Sequence, residues 1–250
     1  MKRSFSNTIL GALVCHLLAA CATHSSRVPT EDQIRDHLRE KKSVSILFIG
    51  NSLSFGLPKE LERITRKNGA EVRATLQAHS GWNLARHSAD AVTLEVLRGS
   101  PWDIVVLQEQ SRIPSQAIKR RTDMLPAVEF LAREARAVGA LPVLYQTWGY
   151  RDGDKQKIRD DFFAMNQRLR DGYQVAARAE KIPVVRVGDA WEIEMKKDWG
   201  TRLFMSDGLH PSRDGVRLNA RVFYETLFSQ AAPKNRKMRL NAVKPTRGGG

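Results

Sequence analysis

The chain predicts an α/β fold, a parallel β-sheet covered on both faces by helices. Five short apolar runs alternate with longer segments whose apolar residues recur at helical spacing, and one of those runs is apolar at almost every position. Parallel strands need a crossover between them, and a strand buried on both faces loses the alternation of a one-sided sheet.

Residues 43–49, Ser-Val-Ser-Ile-Leu-Phe-Ile, form that near-continuous run, and Gly50 closes it. They predict a central strand. Pro58 suits the first turn of the next helix, in which Leu57, Leu61 and Ile64 share one face. A weaker strand is expected over 72–76, a helix over 84–97 and a strong strand over 104–107. Leu125, Val128, Leu131, Ala135 and Val138 keep helical spacing up to Gly139, and 142–145 supplies the fourth strand. Ile158, Phe162, Met165, Leu169 and Tyr173 mark the stripe of a longer helix. A fifth strand over 183–187 and a last helix over 211–228, with Pro211 in its first turn, complete the alternation. No repeat or second domain interrupts it, and roughly 200 residues suffice for one substantial core.

Lys2 and Arg3 followed by the apolar stretch 9–18 give residues 1–20 the form of a secretory signal, too short for a membrane span. Leu18-Ala19-Ala20-Cys21 resembles a bacterial lipobox, in which the cysteine becomes the lipidated first residue; ordinary cleavage near Ala-x-Ala shares the same charge and apolar pattern. The expectation is a protein of the bacterial cell envelope held to the membrane through Cys21. Residues 21–42 would be a tether and short surface helix, 43–232 the domain, and 233–250 a disordered basic tail. Cys15 and Cys21 are the only cysteines, so no disulfide is expected in the domain.

The formal charge is +14, but two cations lie in the signal and six in the tail, which leaves +6 for residues 21–232. An exported tail of this kind is either merely solvated or meets anionic polymers and headgroups, and nucleic acid is not an expected partner. No Gly-x-Gly-x-x-Gly or Walker-type loop offers a phosphate cradle. His79 and His87, eight residues apart and without cysteine pairs, lack the usual spacing of a zinc site. Neither cofactor nor metal is expected.

Two blocks carry chemistry. Phe48-Ile49-Gly50-Asn51-Ser52-Leu53 places a serine directly after the central strand, and Ser206-Asp207-Gly208-Leu209-His210-Pro211 places a carboxylate three residues before a histidine. A serine hydroxyl becomes a nucleophile when a histidine takes its proton and a carboxylate fixes the histidine's tautomer. Either block alone could be structural, a Ser cap in one case and an Asp-Gly turn in the other. Ligands in open α/β sheets bind outside the carboxyl ends of the strands, which is where both blocks fall.

In order and internal spacing these blocks resemble the SGNH (GDSL-like) hydrolase family over residues 44–230. The resemblance implies a three-layer, flavodoxin-like fold with five parallel strands, and a catalytic triad of Ser52, Asp207 and His210. Ser80-Gly81-Trp82 is similar to the block whose glycine lends a backbone N–H to the oxyanion hole, beside the N–H of Ser52. Leu107-Gln108-Glu109-Gln110-Ser111 stands where the family has Gly-x-Asn-Asp, so the side-chain oxyanion donor would be Gln110, with Gln108 in reserve. Asn51 replaces the commoner Asp of Gly-Asp-Ser, and Glu109 reads as a loop-positioning carboxylate. Trp82, Trp148 and Trp191 follow predicted strands and are candidate substrate contacts with Gln108, or else pack the loops over the core.

The function expected is a serine esterase that removes short acyl groups, acetyl in the first place, from a carbohydrate or other envelope-associated ester. A lipase or thioesterase for longer chains and a non-catalytic glycan-binding lipoprotein are the alternatives.

Overall fold

The computed structural model describes residues 31–228. Residues 1–20, expected to be a signal, Cys21 and the basic residues 233–250 lie outside the described residues.

Helix α1 (Glu31–Leu38) precedes strand β1 (Ser43–Gly50), then α2 (Leu57–Lys67) and β2 (Glu71–Ala78). Next come α3 (Leu84–Ser88), α4 (Ala91–Arg98), β3 (Ile104–Leu107), the short α5 (Ala117–Lys119), α6 (Leu125–Ala137) and β4 (Leu141–Tyr145). The chain continues through α7 (Phe162–Glu180), β5 (Val184–Val185), α8 (Val187–Met195) and α9 (Arg213–Phe228). All strand pairs are parallel and the sheet order is β2-β1-β3-β4-β5, the flavodoxin-like order expected.

The apolar run of β1 explains the layers. Ile46 and Phe48 face one core, shared with α1, α2, α8 and α9, whereas Leu47 and Ile49 face another, shared with α3, α4, α6 and much of α7. A strand with period-two side chains must be apolar throughout when both faces are covered.

Five expectations are corrected. The helix expected over 84–97 is two helices, because the Asp90 side chain accepts from Thr93 N at 2.8 Å and starts a new one. The long helix begins at Phe162, capped by Asp161, and Ile158 is 95% exposed in the loop before it. The strand expected over 183–187 holds only two residues, and Val187 already opens α8, whose Asp189 accepts from the Gln146 amide at 2.8 Å. The last helix starts at Arg213 with the Ser212 hydroxyl taking the Asp214 and Gly215 N–H groups, while Pro211 bridges to Phe204. The helix before β1 is also more than a surface helix, since Ile34 and Leu38 are buried in the core with α9.

One carboxylate lies fully inside. Glu109, just past β3, accepts the N–H of Leu84 at 3.1 Å and of Gln110 at 2.6 Å on a single oxygen, and its other oxygen is buried without a partner. Burial pushes this carboxyl up to about 7 against the pull of those two N–H groups. It therefore positions α3, as expected, but through a charge that the interior resists.

A folded-state pKa above the unfolded one means stability that is complete below about pH 4.5 and lost as pH rises through about 7. Glu109→Gln should thus gain on the wild type by up to about 3 kcal/mol between pH 4.5 and pH 8. Urea unfolding of both proteins at the two pH values measures this; a difference that stays constant with pH would contradict it.

Candidate active site

Ser52 opens a single 3-10 turn, Ser52–Ser54, where β1 ends. The turn is held from beneath by Gln108. Its Oε1 accepts from Asn51 N at 2.9 Å and from Ser54 Oγ at 3.0 Å, and its Nε2 donates to Asn51 Oδ1 at 3.1 Å and to Glu109 O at 2.5 Å. Gly50 has to be a glycine, because a Cβ there would lie 2.5 Å from Gln108 Oε1. Asn51 then uses both ends of its own amide: Oδ1 also accepts from Leu53 N at 3.1 Å, and Nδ2 donates to Trp82 O at 2.8 Å. An aspartate could not make the last bond. That bond ties the Ser52 turn to the loop carrying Gly81.

The second block arrives from the far end of the chain. Ser52 Oγ lies 2.9 Å from His210 Nε2, and His210 Nδ1 lies 2.5 Å from Asp207 Oδ2. Asp207 Oδ1 takes the N–H groups of Leu209 and His210 at 2.9 and 3.0 Å. Partial burial raises the Asp207 pKa, but hydrogen bonds from the imidazole and these two N–H groups outweigh it and hold the carboxyl below its ordinary value. An ionised carboxylate only accepts, so Nδ1 carries a hydrogen and Nε2 presents its lone pair to the Ser52 hydroxyl.

The loop that presents His210 is fixed on three sides. Met205 N donates to His210 O at 2.9 Å, Arg151 N to Gly208 O at 2.8 Å, and Trp148 Nε1 to Leu209 O at 3.1 Å. Gly208 sits at φ +68°, a backbone conformation that a side chain would strain.

Other expected site residues are placed differently. Trp148 and Trp191 are 1% and 0% exposed and stack on each other at 4.0 Å, so they are core residues and touch no substrate. Trp191 lies on α8, inside the helix that replaced the end of the expected strand. Gln108 is 1% exposed with both amide hydrogens engaged, so it is neither a substrate contact nor the reserve oxyanion donor. Gln110 gives one amide hydrogen to Ser111 Oγ at 3.2 Å and takes Arg112 N on its oxygen at 2.9 Å, leaving its second amide hydrogen uncommitted. Trp82 is half-buried, flanked by His79 at 4.1 Å and the Arg86 guanidinium at 4.5 Å.

His87, which the sequence left without a role, is buried with Nε2 against Gly50 O at 2.7 Å and Nδ1 against Thr93 Oγ1 at 3.0 Å. Burial lowers its pKa, which suits a neutral ring that braces the strand end before Ser52. Phe55 and Met205 also escaped sequence reasoning; 45% and 52% exposed, they stand three and five residues from the serine and the histidine. Exposed large apolar groups beside these two residues are the signal, and it requires the fold to be visible.

No protein-family model matches the chain, and no curated protein matches it by sequence. Solved structures do. A protein of Slackia heliotrinireducens assigned to the SGNH hydrolases is 32% identical, with a TM-score of 0.62 over 74% of this chain and 99% of its own. A DUF4886 family protein from Bacteroides uniformis is 16% identical, with a TM-score of 0.65 over 77% of this chain and 88% of its own. Axe2, an acetylxylan esterase from Geobacillus stearothermophilus, is 18% identical, with a TM-score of 0.56 over 75% of this chain and 95% of its own. The last two share the fold. With identity at this level across nearly the whole of the Slackia protein, the chain belongs to the SGNH (GDSL-like) hydrolase family, enzymes that act on ester bonds.

Proposed function

We propose that the protein is a serine esterase that removes short acyl groups, acetyl in the first place, from a carbohydrate of the cell envelope, where Cys21 anchors it to the membrane. The observation that carries the chemistry is the unbroken chain from Ser52 Oγ through the His210 ring to Asp207. His210 Nε2 takes the hydroxyl proton as Ser52 Oγ bonds to the ester carbon. Asp207, kept ionised, stabilises the imidazolium that results. The same proton then passes to the departing alcohol oxygen as the ester C–O bond breaks, leaving an acyl-Ser52. Water repeats the sequence to free the acid and restore the serine.

The negative charge on the carbonyl oxygen needs donors already in place. The backbone N–H groups of Ser52 and Gly81 have no acceptor among the described residues, which suits them to that task. The Asn51 to Trp82 bond holds the two loops at a fixed spacing. Gln110 supplies the third donor through its uncommitted amide hydrogen.

The carbohydrate reading is supported by the fold shared with an acetylxylan esterase and by the envelope address expected from the leader. A second reading, longer acyl chains, has one observation in its favour: Phe55 and Met205, three and five positions from Ser52 and His210, are exposed large apolar side chains.

Ser52→Ala should abolish both p-nitrophenyl acetate hydrolysis and labelling by a fluorophosphonate probe; labelling that survives would place the nucleophile elsewhere. Gln110→Ala should slow turnover on the order of a hundredfold. Asp207→Asn, which favours the wrong imidazole tautomer, should cost on the order of 10³-fold or more in kcat. A series of p-nitrophenyl esters from acetate to palmitate should peak at the short end. Peak activity at palmitate would reject the acetyl assignment in favour of the second reading.

A further inference from the structure

Helices α2 and α9 both start on the side of the sheet where Ser52 and His210 meet, and a cleft of about 640 Å³ opens between their first turns. It is lined by Gly56, Lys59, Glu60, Arg63, Arg213, Val216 and Arg217. Four cations and one carboxylate therefore face it. Arg63 is paired with Glu60, and Arg217 with Asp214 at 3.3 Å. Lys59 and Arg213 are exposed and have no partner among the described residues.

The cleft is close to the chemistry by chain geometry alone. Gly56 is four residues beyond Ser52, and Arg213 is three beyond His210. Even fully extended, such segments span at most about 14 and 11 Å. A group held beside Gly56 or Arg213 is thus within reach of a short oligosaccharide whose ester lies at Ser52. Gly56 and Val216 are the only uncharged residues in the lining, so the polar tips that reach the cleft are mainly cationic. The guanidinium fork matches a carboxylate, and two of the cleft's arginines already hold carboxylates of this chain.

We propose that this cleft is a substrate subsite for the carboxylate of an acidic sugar residue, so that the ester presented to Ser52 belongs to an acidic glycan. The inference rests on the esterase reading above and narrows its substrate class. Lys59 and Arg213 supply the uncommitted charge, and Arg63 and Arg217 set its boundary.

The test compares acetate release from O-acetylated oligogalacturonate with release from the same oligosaccharide after its carboxylates are methyl-esterified. The wild type should favour the acidic form by about tenfold in kcat/KM at low salt, a preference that shrinks as ionic strength rises. Lys59→Ala/Arg213→Ala should bring the ratio of the two close to one. Lys67→Ala/Arg178→Ala, which removes the same charge from elsewhere, should keep the wild-type ratio. Equal turnover of the two forms, or a ratio that the first double variant leaves intact, overturns the subsite. So does Lys59- and Arg213-dependent binding to phosphatidylglycerol vesicles without a preference between the two glycans, which would make this face a lipid contact. If p-nitrophenyl acetate hydrolysis depends on Ser52 but the acidic preference is missing, only the subsite fails. If no hydrolysis depends on Ser52, the esterase reading fails with it.

Discussion

The side chain of Gln108 is the contact on which the site's geometry depends. Parallel pairing of β1 with β3 brings the ends of the two strands side by side, and the missing side chain of Gly50 lets the carboxamide slide beneath the turn that follows. There it satisfies Asn51 N and Ser54 Oγ with one oxygen, and Asn51 Oδ1 with its nitrogen. A buried amide with every hydrogen bond made is both stable and unforgiving. Ser52 inherits its direction from that arrangement. Asn51 passes the same constraint on to Trp82 and so to the loop of Gly81. The reason for asparagine in this chain follows directly, since the link needs an N–H that aspartate lacks.

On the other side of the site, aromatic packing does the equivalent work. Trp148 and Trp191 stack face to face in the core, Trp191 Nε1 donates to Asn219 Oδ1 at 2.7 Å, and Trp148 Nε1 donates to the backbone beside His210. A tryptophan at the end of a strand can serve a site from below as well as from the rim. The His210 loop is therefore anchored to the hydrophobic core itself. Together with the Gln108 post, this keeps two segments 158 residues apart within hydrogen-bonding distance.

The sheet and its order were legible because β1 is apolar on both faces and helical spacing alternates with it, signals that survive without tertiary information. The Ser52, Asp207 and His210 blocks were legible from internal spacing and their place at strand ends. The rest turns on contacts between distant segments. Nothing local distinguishes Gln108 from Gln110; only the approach of Gly50 makes one a buried post and leaves the other half-exposed. Val187 looks like the end of a strand until Asp189 and Gln146 pull it into α8. Lys59 and Arg213 lie 154 positions apart in sequence and become neighbours of one cleft only because α2 and α9 pack side by side.

Two carboxylates near the carboxyl ends of the strands show how the same chemical group is pushed in opposite directions. Asp207 is partly exposed and collects three hydrogen bonds, so it stays charged and can orient an imidazole and balance its positive form. Glu109 is sealed in and pushed toward neutrality, with one oxygen left bare. The difference fits the direction in which charge moves during ester cleavage. Positive charge grows on the His210 ring, where a carboxylate helps, while negative charge grows on the carbonyl oxygen, near the loop that Glu109 braces through Leu84. A full anion buried there would oppose the oxyanion across a medium of low dielectric. Burial pushes Glu109 up to about 7, toward the protonated form, and in that form it keeps the brace through Leu84 while removing the opposition.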